Sequence, residues 1–309
     1  MQYDTKPLIS VIIPIHNRSE DLTRSVPSVL SQTEQSFELL IIDDASTEDL
    51  KPIVAGFNDA RIKLIRNDIK GNAGSVRNKG MELAQGNFIA FLDSDDDWFP
   101  EHLSTRIAFI NDQNVDGVYG SAFVFDGESA TFVLSKNKRD KQHAADYLLS
   151  GGSIPTPTWV MRSEAARSIH FDISLVVHED YDFFIRFDQK YKWAAMWQPT
   201  TRVYWRPRAA RLRHPKSEIS FVQKYFDKIS PKSYFAYCLS QLEYYRNDTG
   251  DDAIINYYRT ECMRYIKHLS FVDFCSVKKG SPFLLTWLHF SFLILVRKFK
   301  NPQPPKTIL

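Results

Sequence analysis

Cysteine is scarce. The three in 309 residues, Cys238, Cys262 and Cys275, are odd in number and widely spaced, which excludes a disulfide framework and any metal knuckle. They predict free thiols in a reducing compartment. Charge of one sign is missing too: 39 basic residues face 37 acidic ones, a net charge of +2, so no long-range field is built for duplex nucleic acid and no nucleic-acid partner is expected. The amino terminus, MQYDTKPLIS, lacks the basic and then apolar pattern of a secretory signal, which predicts a cytoplasmic location. A glycine phosphate cradle is also missing, because GNAGSVRNKG from Gly71 to Gly80 fits neither G-x-G-x-x-G nor G-x-x-x-x-G-K-[ST]. No internal repeat is present, and the one biased tract is the Pro-rich NPQPP near the end.

At 43% hydrophobic residues the chain can bury a sizeable core, in one large domain or two smaller ones. Leu8 to Ile13 (LISVII) is a β-branched run stopped by Pro14, as expected of an inner parallel strand. A helix follows, with Ser19 as its cap and Pro27 inside it to kink it or delay its start. Phe37 to Ile42 is a second strand. Ser46 and Asp49 form a capping pair for a helix through about Phe57, and Arg61 to Arg66 alternates like a third strand. Gly74 to Gln85 is helical, Gly86 ends it, and Phe88 to Leu92 is a fourth strand. Strands alternating with helices predict an α/β fold with a mostly parallel sheet flanked by helices.

Further on, the pattern predicts a helix to about Ile110, one strand over Val115 to Phe125, and a loop and helix around residues 135 to 146. Short strands are expected at Thr158 to Met161 and Ala194 to Trp197, with an amphipathic helix from Glu179 to Tyr191 between them. Beyond about Lys216 come helices rich in Tyr and Phe. The apolar segment Phe283 to Val296, flanked by Lys278, Lys279, Arg297, Lys298 and Lys300, is shorter than the roughly 20 residues of a bilayer span. It reads either as an interfacial membrane helix or as a buried terminal helix.

The question of chemistry starts at FIAFLDSDDDWFP, Phe88 to Pro100, where a buried strand runs straight into four aspartates. Crowded like charges repel, so the sequence points to a visiting cation. In open parallel sheets ligands bind beyond the carboxyl ends of the strands. Strand one ends in Pro14, Ile15, His16 and Asn17, strand two in Asp43 and Asp44, and strand four in Asp93, Ser94, Asp95, Asp96 and Asp97. These tips are expected to form one site. Asp93 and Asp95 suit a hard divalent ion such as Mg²⁺ or Mn²⁺, which takes oxygen ligands and often bridges to a substrate phosphate. Taken alone, a D-x-D pair is commonly a solvated turn, and Asp43 and Asp44 serve equally well as caps for the following helix.

Five segments, SVIIPIHNR, LLIIDDAS, GNAGSVRNKG, FLDSDDDW and VHEDYDFFIRF, occur in the order and spacing of glycosyltransferase family 2, and the resemblance extends over roughly residues 8 to 220. It implies the GT-A fold of nucleotide-diphospho-sugar transferases and an inverting transfer of sugar. Carried over residue by residue, it implies that Pro14, Ile15 and His16 line the nucleotide pocket with Asp43 and Asp44, the latter accepting from the base, typically uracil. Asp93 and Ser94 would lie by the ribose, Asp95 would be the principal metal ligand, and Arg77 with Asn78 would brace the region. Asp180 would be the catalytic base, with Glu179 near a sugar. His214, in RLRHPKSEIS, would complete the metal shell, although the basic stretch from Tyr204 to Arg213 is longer than the family's pattern and a lone His is commonly structural. Arg206, Arg208, Arg211 and Arg213 fit a diphosphate contact, a solvated basic face or a site for acidic headgroups equally.

The expected organisation is a GT-A domain over residues 1–215, with a nucleotide-binding half (1–100) and an acceptor-binding half (101–215), followed by a helical region over 216–309. The expected function is transfer of a single sugar from a nucleotide-diphosphate sugar, typically a UDP-sugar, to a hydroxyl of a glycan or lipid-linked glycan. Peripheral membrane contact would place it at the inner face of the membrane, in surface polysaccharide biosynthesis. A sugar nucleotidyltransferase is the competing enzyme class, but it normally brings a Gly-rich phosphate loop. A third reading is a non-catalytic binding protein on a transferase scaffold, which an intact Asp95 and Asp180 oppose.

Overall fold

Apolar residues on both faces from Ile9 to Ile13, with Ser10 the one polar exception, mean that β1 (Ile9–Ile15) must be covered on both sides, and it is buried along almost its whole length. A computed structural model describes residues 6–127, 129–205, 213–248 and 251–270 of the chain. By contact density the chain divides into two units, one of residues 1–137 with 153–212 and one of residues 138–152 with 213–309. The segment Phe283 to Val296, Cys275 and the arginines 206, 208 and 211 lie outside the described residues.

In the first unit β1 is followed by a 3-10 turn at Ser19–Asp21 and by α1 (Leu22–Leu30). The predicted cap at Ser19 is not formed, because the turn delays the helix by three residues and no side chain caps either start. Next come β2 (Phe37–Asp43), α2 (Lys51–Gly56) and β3 (Ile62–Arg66). The predicted capping pair at Ser46 and Asp49 also fails: α2 starts only at Lys51, and Ser46 is used to tie two strand tips together. α3 (Ala73–Leu83) has a capping box instead, in which Asn72 accepts from the Ser75 amide and the Ser75 hydroxyl accepts from the Asn72 amide. β4 (Phe88–Phe91), β5 (Asp97–Trp98) and α4 (His102–Gln113) follow.

The strand predicted over Val115 to Phe125 is broken at Ser121 into β6 (Gly117–Gly120) and β7 (Ala122–Phe125), which join different sheets. Periodicity could not show the break, since the apolar character continues across it. β8 (Ala130–Val133) completes a hairpin with β7. α5 (Ala144–Leu149) belongs to the second unit. The first unit resumes with β9 (Val160–Arg162), α6 (Ser163–Arg167), α7 (Glu179–Lys190), β10 (Trp193–Met196) and β11 (Thr201–Tyr204).

The main sheet has the order β10-β6-β9-β4-β1-β2-β3, parallel throughout except for β9, which runs against both of its neighbours. A second sheet, β5-β11-β7-β8, stands beside it. The carboxyl ends of β2, β1, β4, β6 and β10 therefore share one edge, and that shared edge is where the polar strand tips lie. The second unit contains α5, α8 (Pro215–Lys224), α9 (Pro231–Asp248) and α10 (Asp252–Tyr265).

At the opposite edge Gly86 does not end α3, whose last residue is Leu83 with Ala84 as its cap. Its role is close packing. A Cβ at Gly86 would stand 2.5 Å from the Ser10 nitrogen and 2.6 Å from the Ile9 carbonyl carbon, both backbone atoms of β1. Gly86→Ala is expected to cost about 1–3 kcal/mol of stability, read as a lower midpoint in urea unfolding. An unchanged midpoint would mean that this approach is not tight.

Candidate active site

The tips of β1 and β2 are tied by their own side chains. The Asp44 amide donates to the Ile15 carbonyl at 2.8 Å, and His16 Nδ1 lies 2.9 Å from the Asp44 carbonyl, to which its protonated form donates. Asn17 and Arg18 adopt left-handed φ values of 57° and 59°. Asn17 donates its amide to Ser46 Oγ at 2.7 Å and accepts from the Thr47 amide at 2.8 Å, while the amides of Arg18 and Ser19 both donate to the Glu48 carboxylate at 3.0 Å. These bonds hold a backbone conformation that Asn tolerates better than most residues.

Asp43 and Asp44 do different work. Asp43 is buried with both oxygens occupied, one accepting from the Ser46 amide at 2.9 Å and the other paired with Arg66 at 2.6 Å. Asp44 has one oxygen, Oδ1, bonded to Asn67 Nδ2 at 3.1 Å and to the Gly71 amide at 2.9 Å. Sequence reasoning missed Arg66, Asn67 and Gly71 as partners. The alternating strand containing Arg66 was the only available signal, and it gives no pairing.

The centre of the site is Arg77, on α3 and only 5% exposed. It donates to Asp93 beyond β4 at 2.8 Å and to Glu179 at the start of α7 at 3.1 Å. Burial by itself would lower the pKa of its guanidinium, but the Asp93 and Glu179 carboxylates outweigh burial and raise it above its ordinary value. Asn78, next along α3, fixes the same region from behind: its amide nitrogen donates to the Phe171 carbonyl at 3.0 Å and its oxygen accepts from the Phe171 amide at 2.6 Å. Asn72 reaches the Ile173 carbonyl at 2.8 Å. One helix thus joins the tip of β4 to the segment leading into α7.

The aspartates after β4 are sorted by their partners. Asp97 is buried against Arg202 at 2.5 Å and accepts from the Tyr204 hydroxyl at 3.2 Å. Asp96 accepts from the Tyr204 amide at 2.8 Å, and burial, then the charges of Asp93 and Asp95, raise its pKa well above the carboxylate range. Asp95 is half-buried, with Arg18 Nη1 3.8 Å away; burial, then Asp93 and Asp21, push its pKa up to about 6. Asp21 was not foreseen, because it sits in the turn that delays α1.

At the start of α7, His178 takes a left-handed φ of 66° and Glu179 and Asp180 open the helix. Burial, then the neighbouring Asp180 charge, push Glu179 up to about 7 against the pull of Arg77. Asp180 is also raised, by burial first, although Arg77 and the Tyr181 amide at 2.8 Å oppose it. His214 stands in the second unit, where its Nδ1 accepts from the Ser217 amide at 3.1 Å and caps α8. Arg213 beside it lies over the Tyr244 ring, 3.5 Å from its centroid.

Comparison with known proteins gives these residues a context. A family model described as Glycosyl transferase family 2 matches residues 10–169. The amylovoran biosynthesis glycosyltransferase AmsB of Erwinia amylovora is 28% identical over 234 residues, 72% of this chain and 77% of that protein. An Escherichia coli enzyme named UDP-Glc:alpha-D-GlcNAc-diphosphoundecaprenol beta-1,3-glucosyltransferase WfgD is 38% identical over 122 residues, 40% of this chain and 48% of that enzyme. The crystal structure of S. aureus TarS 1-349 in complex with UDP-GlcNAc superposes with a TM-score of 0.58 at 20% identity, covering 91% of this chain and 78% of that one. At such identity the likeness is one of fold, and the fold is the GT-A arrangement that the order of motifs implied.

The raised Glu179 carboxyl has a consequence for stability. The folded chain keeps a proton there between pH 4.5, the ordinary value, and about 7, where the unfolded chain has lost it. This group's contribution is present below pH 4.5 and is lost as pH rises through that window. Glu179→Gln removes the titration, so the variant should gain on the parent between pH 4.5 and 7 by roughly 2–3 kcal/mol, whatever constant offset the lost Arg77 contact adds. Urea unfolding at several pH values reads this, and a pH-independent difference would contradict it.

Proposed function

The chain belongs to glycosyl transferase family 2, and on that premise we propose that it transfers one sugar, with inversion, from a UDP-sugar to a hydroxyl of a glycan or lipid-linked glycan acceptor during polysaccharide assembly. The observation that carries this reading is the double pairing of Arg77 with Asp93 and Glu179. It unites the strand tips that would bind the donor with the helix start that bears Asp180, so donor and base share one cleft. The names of the relatives support the acceptor class: amylovoran assembly for one, and a sugar on diphosphoundecaprenol for the other.

In the cleft Asp44 accepts from the base of the nucleotide while Asn67 and Gly71 hold its carboxylate still. Asp180 takes the proton of the acceptor hydroxyl as the new bond forms, and its raised affinity for protons makes it a better base than a solvated aspartate. Glu179, with its pKa pushed up to about 7, is able in its protonated form to donate a hydrogen bond to a sugar oxygen. Arg77 fixes the separation between these groups.

The acids also fit a divalent cation, Mg²⁺ or Mn²⁺. Burial, then the charges of Asp93 and Asp21, raise the pKa of Asp95, so a cation beside these hard oxygens would favour its charged form. Among the described residues no group of three His, Cys, Asp or Glu is placed to hold a metal ion; Mg²⁺ often takes one or two carboxylates and completes its shell with phosphate oxygens and water. Asp95 and Asp93 would hold it. When bound, such an ion offsets the charge that develops on the departing diphosphate. Among the described residues no helix is long and apolar enough to cross a membrane, and we place the enzyme at the inner membrane face only through its acceptor.

Asp180→Asn is expected to lower kcat by about 10²–10⁴-fold while leaving the affinity for UDP, measured by calorimetry, within a factor of about two. Undiminished turnover would remove Asp180 as the base. Separately, UDP with Mn²⁺ should raise the melting temperature of the parent more than UDP alone, since a ligand that binds only the folded state stabilises it. Asp95→Asn should erase that increment, and a variant that keeps it would show that the ion is held elsewhere.

A further inference from the structure

Trp197 is 73% exposed and has no stacked ring, cation or hydrogen-bond partner among the described residues. An indole presented to water in this way costs apolar hydration unless something covers it. Its place in the sheet indicates what does. Ile89 of β4 and Gly117 of β6 both pair with Met161 of β9, and Gly117 pairs in turn with Trp193 of β10. Ile89 and Trp193 thus stand on one row. Asp93 and Trp197 lie four residues beyond that row, two past the end of β4 and one past the end of β10, at the carboxyl edge shared by the parallel strands. Three strand spacings separate β4 from β10, roughly 14 Å.

The face is also determined. Alternation puts positions 193, 195 and 197 on one side of the sheet. Trp193 identifies that side, because its ring packs on Phe184 and Phe187 of α7 with centroids 5.2 and 4.3 Å away. α7 covers this face and its first two residues are Glu179 and Asp180. Trp197 and the base therefore share both an edge and a face. β10 is firmly held, since Trp193 also meets Tyr119 and Trp159, and Asn137 Oδ1 accepts from the Ala195 amide at 2.7 Å on the outer edge of the strand. A platform fixed in this way binds without a large ordering cost.

We propose that Trp197 is a sugar-stacking platform for the acceptor, and that the acceptor is an oligosaccharide whose terminal hydroxyl reaches Asp180 while an inner ring lies on the indole. A pyranose presents an apolar C–H face that suits an exposed indole, and a separation of this size is more than a single hexose crosses. The inference rests on the glycosyltransferase reading above, and it adds acceptor length as a determinant of specificity.

The test compares p-nitrophenyl mono- and trisaccharides of gluco, galacto and N-acetylgluco configuration as acceptors, with UDP-glucose, UDP-galactose and UDP-N-acetylglucosamine as donors. The parent should favour a trisaccharide through a lower KM. Trp197→Ala should raise that KM roughly tenfold, with kcat, the KM of the matching monosaccharide and UDP affinity unchanged, and Trp197→Tyr should restore most of the loss. Equal effects on short and long acceptors, or none, overturn the proposal. So does a changed sedimentation coefficient in Trp197→Ala, which would assign the indole to contact between copies. If no sugar accepts from any donor even though UDP binds, the transferase reading itself fails rather than the platform alone.

Discussion

The charge pairing of Arg77 joins distant parts of the first unit. An arginine that is almost wholly covered costs several kcal/mol unless carboxylates compensate it. Arg77 finds its two in parts of the chain far apart in sequence, Asp93 sixteen residues on and Glu179 more than a hundred. Satisfying one cation thus forces a strand tip and a helix start into contact. The double amide pairing of Asn78 with Phe171 acts in the same direction from the neighbouring helical position.

The same charge arithmetic sorts the acids. Asp43 and Asp97 each have an arginine within 2.6 Å and are spent on structure. Asp96 answers a backbone amide and is driven toward its neutral form. Asp95, 3.8 Å from Arg18, and the Glu179–Asp180 pair beside Arg77 are likewise raised, by burial first. Carboxylates whose charged forms the fold opposes are candidates for binding a cation or taking a proton, which is the role proposed for them. The second unit adds hydroxyls to arginines: Glu218, paired with Arg213 at 3.4 Å, accepts from the hydroxyls of Tyr245 and Tyr258, and Glu261, paired with Arg264 at 2.8 Å, accepts from that of Tyr234 at 2.8 Å. The tyrosines that made this region look merely aromatic in sequence are the hydrogen-bond partners of its buried acids.

Much of the site was legible because its residues come in local groups at strand ends, and a β-branched run followed by polar residues marks a strand tip without any knowledge of its neighbours. The order of three such groups, with GNAGSVRNKG on α3 and VHEDYDFFIRF at the start of α7, carried the family and the GT-A fold. Individual roles were less legible. Asp43 and Asp44 are adjacent and chemically identical, yet one is locked by Arg66 and the other is held by Asn67 and Gly71. The predicted caps at Ser19 and Ser46 failed because a 3-10 turn and a cross-strand bond took those residues first.

The sequence by itself determined where the strands of the main sheet and the longer helices lie, though not β5, β8, β11 or α6, and which carboxylates stand at strand ends, because apolar periodicity and turn chemistry act over a few residues. Only the tertiary structure decided how the tips meet: the reversed β9 between β4 and β6, the break at Ser121 and the row that aligns Ile89 with Trp193. Strand order and register are settled by pairings between residues tens of positions apart, and a buried charge chooses its partner from whatever those pairings bring near. Neither leaves a mark in the local pattern.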